Sequence, residues 1–355
     1  MAPTALTTPG FSAPLNAVYY PNWKVYDTPP SSMELDKITH VYYAFAFLEP
    51  NGTVYLHDIH SDTQVAVDGT NGGLNAVRNL KLQNPSLKTL LSIGGGGKGS
   101  DPFAGVAASP AARENFGISA KQMLDTYGLD GLDVDWEHPD DKKKGADYTT
   151  LMATLRKHLP APKYLLTSAL PAGAWSLQYI DLGKAVEHMD YVNLMAYDFA
   201  GPWGKMSGYQ AQLHVPPNSP EDMRNSGKTA VDYMRSKGVP ADKITLGIPA
   251  YGHSFIGASN INQPFKSSGG DGGTFEYTKL PRPGTVEKVD RNAVAAYCVG
   301  GGGGLVTYDN PETVRMKAQF AKEQKLAGLF YWTGPGDMKG PRSLVSAGYE
   351  AMRRS

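Results

Sequence analysis

Asp130-Gly131-Leu132-Asp133-Val134-Asp135-Trp136-Glu137 sets an acid at every second position from 133 to 137, with Leu132, Val134 and Trp136 between them. Side chains of a β-strand alternate between its faces, so Asp133, Asp135 and Glu137 share one face and the apolar set takes the other. The apolar face packs under a helix layer, which turns the three carboxyls into the interior of a parallel barrel. Charge stranded there is costly unless it is paired or neutralised. Three acids at successive inward positions push at least one pKa up and leave a protonated carboxylic acid near neutrality, the property a general acid needs. Barrels of this kind carry their active face at the C-terminal ends of the strands. Glu137 is therefore the candidate proton donor, with Asp135 and Asp133 progressively deeper. A metal reading of the acids would have only oxygen ligands, because the eight histidines show no paired ligand spacing. Mg²⁺ or Ca²⁺ would be the ions in that case, and no metal or other cofactor is assigned. Asp130, of opposite parity, is expected to tie down the turn before the strand.

Outward from this strand, short β-branched and aromatic runs alternate with amphipathic stretches, the pattern of parallel strands joined by crossover helices. Eight strands are predicted: 17–20, 40–47, 89–93, 131–136, 164–170, 191–195, 244–249 and 328–332. Eight such strands in a chain of 355 residues predict a closed (β/α)8 TIM barrel with one small insertion subdomain after strand seven. Ser109 and Pro110 open a helix that carries Phe116, Ala120, Met123, Leu124 and Tyr127 on one face and stops at Gly128. Tyr148, Leu151, Met152, Leu155 and Leu159 form a second stripe, ended by Pro160. Asn310-Pro311 opens a third helix, with Val314, Ala318 and Ala321 inward. Residues 255–304 break the rhythm with Gly269-Gly270-Asp271-Gly272-Gly273 and a glycine run from 300 to 304, and are read as the insertion. The expected division is a tail over 1–15, a barrel over 16–254 and 305–355, and the inserted subdomain between. No internal repeat is found.

Lys plus Arg and Asp plus Glu both total 34, which gives no electrostatic case for a nucleic-acid or anionic-membrane partner. A neutral partner is expected, bound by a monomer. Cys298 is the single cysteine, so neither an intrachain disulfide nor a multi-thiolate metal site is available. No apolar run approaches the length that spans a bilayer, and Met1 to Gly10 lack a basic region and an apolar h-region. Ala2-Pro3-Thr4-Ala5 onward to Pro14 reads like the mature start of a secreted protein, with a cytosolic reading left open. The triplet Asn51-Gly52-Thr53 is a glycosylation sequon that fits secretion.

The segment 130–137 matches the DxxDxDxE signature of the family 18 glycoside hydrolases, the chitinases, and the chain resembles that family along nearly its whole length. VYYPNW at 18–23, YAFAF at 43–47, SIGG at 92–95, MAYD at 195–198, GIPAYG at 247–252 and GLFYW at 328–332 all fall at predicted strands. The likeness is nearest to fungal chitinases with a small α+β insertion after strand seven, although this insertion is shorter. The resemblance implies cleavage of chitin and chitooligosaccharides at β-1,4 bonds with retention, the substrate's own 2-acetamido oxygen serving as nucleophile. This family is an exception to the two-carboxylate scheme. The resemblance assigns proton transfer to Glu137, orientation of the acetamido group to Asp135, a hydrogen bond to that group to Tyr197, and a share in the proton of Asp135 to Asp133. It also implies that Asp198, Met195 and Tyr251 shape the pocket of the scissile sugar, with Tyr19 and Phe45 at its base, and Gly95 of the SIGG motif is carried as a further substrate-binding residue.

Trp23, Trp136, Trp203 and Trp332 fall at or just past predicted strand ends, and Trp175 a few residues past the fifth strand. Flat aromatic surfaces bind the apolar C–H faces of sugars by burial without charge. Trp332 is the one expected under the scissile sugar, and the first four are carried as substrate-binding candidates. Three departures from the family pattern stand out: Gly96 where a stacking Trp usually follows SIGG, His253 in place of an Arg after GIPAYG, and His138 in place of a Tyr after Glu137.

GGGGKGS at 94–100 is not a phosphate loop, because Gly99 separates the Gly-Lys pair from Ser100. No nucleophile elbow of the G-x-S-x-G type is present, and Cys298 has no His partner. Three rival readings remain at this stage. They are a noncatalytic chitin-binding lectin on the same barrel, an endo-β-N-acetylglucosaminidase acting on N-glycans, and a barrel that binds other proteins.

Overall fold

A computed structural model describes residues 13–354, so the stretch read as a mature start lies outside the described residues up to position 12. Eight parallel strands close on themselves. They are β1 (Leu15–Pro21), β2 (His40–Leu48), β3 (Lys88–Gly94), β4 (Gly131–Asp135), β5 (Leu165–Pro171), β6 (Tyr191–Met195), β7 (Ile244–Pro249) and, after the inserted strands described below, β13 (Gly328–Trp332). Each pairs with its chain neighbour, β13 pairs with both β7 and β1, and β1 with β2 completes the ring. Leu15 already pairs with Gly328, so the barrel begins inside the span expected to be tail. The predicted strand positions hold within a residue or two.

Punctuation works as the sequence implies. In α3 (Pro110–Tyr127), which follows α1 (Gly73–Asn79) and α2 (Phe103–Ala108), Ser109 Oγ accepts the amide of Ala112, and Gly128 ends the helix at φ +65°, a conformation that costs glycine nothing. Phe116, Ala120 and Leu124 are buried, while Met123 and Tyr127 are half-buried at the edge of the stripe. Tyr148, Leu151, Met152 and Leu155 of α4 (Lys142–His158) pack inward. So do Val314, Ala318 and Ala321 of α7 (Pro311–Glu323), the helix preceded by α5 (Leu182–Val186) and α6 (Gly227–Ser236) and followed by α8 (Leu344–Arg353). Asn310 and Thr313 cap α7 reciprocally.

Two apolar layers result. The large one lies between strands and helices and takes in Val134, Trp136, Tyr148 and Phe103. The small one fills the barrel axis with Ala17, Tyr19, Tyr42, Ala44, Phe45, Leu90 and Phe330. A register shift in β2 between Ala44 and Ala46 belongs to the same region and lets Phe45 join the interior set against the strict alternation of the strand.

The insertion is a five-stranded antiparallel sheet of β8 (Tyr251–Phe255), β9 (Thr274–Glu276), β10 (Lys288–Asp290), β11 (Ala295–Val299) and β12 (Leu305–Tyr308), in the order β9-β8-β12-β11-β10. It is wider than the expected 255–304. Its central pair, β8 and β12, is formed by the flanks themselves through His253↔Thr307 and Phe255↔Leu305. The glycine run from 300 is the turn between β11 and β12. The amide of Gly300 bonds the Gly304 carbonyl, and positive φ at Gly300, Gly301, Gly302 and Gly304 is what this tight reversal requires. Glu287 fastens the sheet to the barrel by accepting from Arg342, Asn310 and Tyr308. A fully buried Lys317–Asp309 ion pair, whose ammonium also reaches the Ala211 carbonyl, fixes α7 beneath it.

Candidate active site

β4 delivers the acidic row as its alternation dictates. Asp133 is fully buried and saturated: Oδ2 accepts from Tyr19 at 2.8 Å and Ser92 at 2.7 Å, and Oδ1 from Thr167 at 2.6 Å and Asn193 at 3.3 Å. Ser92 and Thr167 are its register partners on β3 and β5, so flanking strands supply the donors that make a buried carboxyl tolerable. Burial still pushes Asp133 above the ordinary range, with these four bonds pulling the other way.

Asp135, 4% exposed, lies one step nearer the mouth, and its Oδ1 is buried without a hydrogen-bond partner. Burial, then the charges of Glu137 and Asp133, drive its carboxyl well above the usual value. Glu137, just past the end of β4, is pushed up to about 7 by burial and by the negative charge of Asp198. Like charges this close do not both ionise, so the pair holds one proton near neutral pH. The backbone of Glu137 is pinned by Ser100, whose Oγ accepts the Glu137 amide at 2.7 Å and donates to the Gly95 carbonyl at 2.9 Å.

An aromatic floor lies beside the acids. Phe45 stacks on Trp332 with centroids 5.7 Å apart, Tyr19 meets Trp332 edge-on, and Trp23 closes the group at 6.4 Å from Trp332. On the opposite side Asp198, held at φ +59°, accepts from Tyr251 at 2.6 Å and is paired with His253 Nε2 at 2.8 Å. His253, the residue that departs from the family pattern after GIPAYG, thus engages Asp198 directly. Tyr197 lies against Tyr251 and Phe330, and burial, then the charges of Asp198, Asp135 and Glu137, keep its hydroxyl protonated. Two cavities open along the cleft. One, about 810 Å³, is lined by Trp23, Lys24, Tyr251, Phe275, Glu276 and Trp332. Its two walls are linked by an ion pair between Lys24 and Glu276. The other, about 400 Å³, is lined by Glu137, His138, Trp175, Met195, Tyr197 and Trp203.

Most sequence-predicted residues therefore converge, but Trp136 does not. It is 3% exposed, stacked on Phe103 and tilted against Tyr148 on the helix side of β4. This corrects its assignment to substrate: its parity with Leu132 and Val134 puts it in the outer core. Gly95 also contributes differently. Its amide bonds the Asp135 carbonyl, and a Cβ there would meet the Phe45 ring at 2.6 Å, so it acts by letting Phe45 lie close. All four hydrogen bonds to Asp133 come from neutral donors, so its influence on Asp135 is through charge. Sequence reasoning missed Ser100, hidden in a glycine run read only for phosphate binding. It also missed Asn193 and Thr167, whose inward parity on β6 and β5 was the available signal. No group of three or more metal-ligating side chains occurs among the described residues.

A family profile described as Glycosyl hydrolases family 18 matches residues 16–337. Chitinase 1 of Aphanocladium album is 33% identical over 99% of this chain and 90% of its own length. Endochitinase 1 of Metarhizium robertsii is 35% identical over 97% of this chain and 86% of its own. Among solved structures, the GH18 chitinase of Cycas revoluta in complex with (GlcNAc)3 superposes with a TM-score of 0.84 at 27% identity, covering 94% of this chain and 98% of that one.

Proposed function

The chain belongs to family 18 of the glycosyl hydrolases, and on that premise we infer that it is a chitinase, a hydrolase of the β-1,4 bonds of N-acetylglucosamine polymers acting through the substrate's acetamido group. The observation that carries the mechanism is the pair Asp135 and Glu137: two carboxyls of one column, both pushed above the ordinary range by burial and charge, with a buried Asp135 oxygen that has no partner within the protein. The acetamido N–H of a sugar lying on Trp332 donates to Asp135, which orients the acetamido carbonyl towards the anomeric carbon and leaves the proton on Glu137. Glu137 gives that proton to the glycosidic oxygen as the bond to the anomeric carbon breaks, and the acetamido oxygen closes an oxazolinium ring. Tyr197 donates to the same acetamido group. The ionised Glu137 then takes a proton from water as it attacks the anomeric carbon, which restores the acetamide and returns the sugar in its original β configuration. Asp133, held by four donors, adds a fixed negative charge beneath the intermediate's positive one. Asp198, Tyr251 and Met195 wall the scissile sugar, and Tyr19, Phe45 and Trp23 support it with Trp332.

Action as a monomer on a linear polymer is proposed with it. The test is incubation with an N-acetylglucosamine hexasaccharide, wild type against Glu137→Gln, with product lengths resolved. Shorter oligomers from the wild type and almost none from a folded variant support the reading. Binding without cleavage by the wild type points to a lectin, and neither binding nor cleavage points to N-glycans or a protein partner.

Secretion is proposed with it. No helix among the described residues is long and apolar enough to cross a membrane, the substrate is an extracellular polymer, and Asn51 of the sequon is exposed. Protein from a secreting eukaryotic host should lose mass on endoglycosidase treatment, and an unchanged mass counts against glycan attachment at Asn51.

A further inference from the structure

We infer that Gln210 is a positioning residue: its side-chain amide, together with its backbone, holds Asp198 in place against Glu137, acting through Asp198 and not on the substrate itself. The inference rests on the chitinase reading above. Asp198 projects from the segment after β6, a barrel strand, whereas both of its partners, Tyr251 and His253, stand on β8, a strand of the inserted sheet. A link between the two segments is needed if the charge of Asp198 is to stay at one distance from Glu137.

Gln210 supplies that link. It is fully buried and lies outside the linings of both cavities. Its Nε2 donates to the Tyr251 carbonyl at 2.7 Å, and its own carbonyl accepts the amide of Phe199, the residue after Asp198, at 2.9 Å. Its amide donates to Thr307 Oγ1 at 3.3 Å, and that hydroxyl donates to the Gly208 carbonyl at 3.1 Å. Thr307 lies opposite His253 in the register of β8 and β12. One residue thus reaches the segment that carries Asp198, the strand that carries both its partners, and the strand paired with that one. The next peptide is fixed as well, because the Ala211 carbonyl accepts from the buried Lys317 ammonium.

Stability alone does not account for a glutamine here. Its Oε1 is buried without a hydrogen-bond partner, and an unpaired buried acceptor costs free energy that an apolar side chain of the same length would not. What the amide adds over such a side chain is the bond from Nε2 to the strand that grips Asp198.

Glu137 is faced by Asp135 and His138 from its own segment, by Asp198, and by the hydroxyls of Tyr197 and Tyr251, with Asp222 lining the same cavity. Burial holds His138 down to about 4 and keeps both tyrosines protonated. Asp135 is fixed by the strand it shares with Glu137, so Asp198 is the neighbouring charge whose distance depends on another segment. Its side chain is 45% exposed and turns towards water once released. The negative charge then recedes, and Glu137 gives up its proton at lower pH.

The test is the pH dependence of kcat/KM on an N-acetylglucosamine hexasaccharide for wild type, Gln210→Met, Asp198→Asn and the double variant, with melting temperatures recorded alongside. Gln210→Met keeps the side-chain length and the backbone bonds and removes only the amide. Gln210→Asn, too short to reach the Tyr251 carbonyl, gives the same test where the Met variant does not fold. The basic limb should move to lower pH by about half a unit, a fraction of the unit or more that a neighbouring charge is worth. In the Asp198→Asn background Gln210→Met should add no further shift. A limb that stays in place while kcat or the melting temperature falls makes Gln210 a packing residue and overturns the inference, as does a shift of full size in the double variant. A wild type that cleaves no hexasaccharide overturns the chitinase reading itself.

Discussion

Replacing Trp136 by Ala separates the two roles that its sequence position allows. In the structure its indole is 3% exposed, stacked at 5.7 Å and 14° on Phe103 and tilted at 47° against Tyr148 at 6.3 Å. Truncation removes the largest side chain from the layer between β4 and its helices and leaves a cavity that the rigid barrel closes poorly. Core Trp→Ala changes cost about 3–5 kcal/mol. At roughly 2 °C per kcal/mol for a chain of this size, the melting temperature should fall by roughly 6–10 °C. Because Glu137 follows directly, kcat should fall too, while KM for a hexasaccharide changes little below the transition. Scanning calorimetry with steady-state kinetics at 20 °C reads both quantities. A sugar platform would behave in the opposite way, with KM rising about tenfold at constant melting temperature. That second result would refute the placement of Trp136 in the outer core.

Two further predictions concern the acids and their neighbours. Glu137 must carry the proton to act as acid, and burial together with the Asp198 charge raises it to about 7. Hence kcat/KM should fall about tenfold per unit above that pH, and fall again at low pH where the pair takes up a second proton and Asp135 no longer accepts the acetamido N–H as a carboxylate. Asp198→Asn removes one of the two causes, so in a pH–rate profile the basic limb should move to lower pH, and a limb that stays or rises contradicts the assignment. Tyr197→Phe removes a donor that strengthens as the oxazolinium forms; kcat should drop about 10²-fold with KM nearly constant, as for other single donors of this kind. A drop confined to KM would make Tyr197 a binding residue only.

The barrel was legible because its strands are short apolar runs at regular spacing, and the period-two row of acids fixed which face of β4 turns inward. The same alternation held the warning about Trp136: it shares parity with Val134, and a tally of tryptophans at strand ends overrode that geometry. Boundaries of the insertion were less legible, since β8 and β12 read as the edges of barrel segments until their mutual pairing through His253 and Thr307 is seen. Ser100 was hidden because a hydroxyl that holds a backbone amide from 37 positions away leaves no local pattern. Gly95 gives up a side chain so that Phe45 can approach, and no spacing rule encodes such a contact. The raised pKa values, by contrast, followed from the sequence argument directly, because burying three carboxyls in one column leaves few other outcomes.

The most direct test of the acetamido-assisted mechanism is the anomeric configuration of the first product, followed by NMR within minutes of adding enzyme to an N-acetylglucosamine hexasaccharide and before mutarotation. The account predicts that the new reducing end appears as the β anomer, and that a substrate carrying glucosamine in place of N-acetylglucosamine at the cleaved position is not cut there. A first product of α configuration, or cleavage at the N-deacetylated position at an undiminished rate, would contradict it.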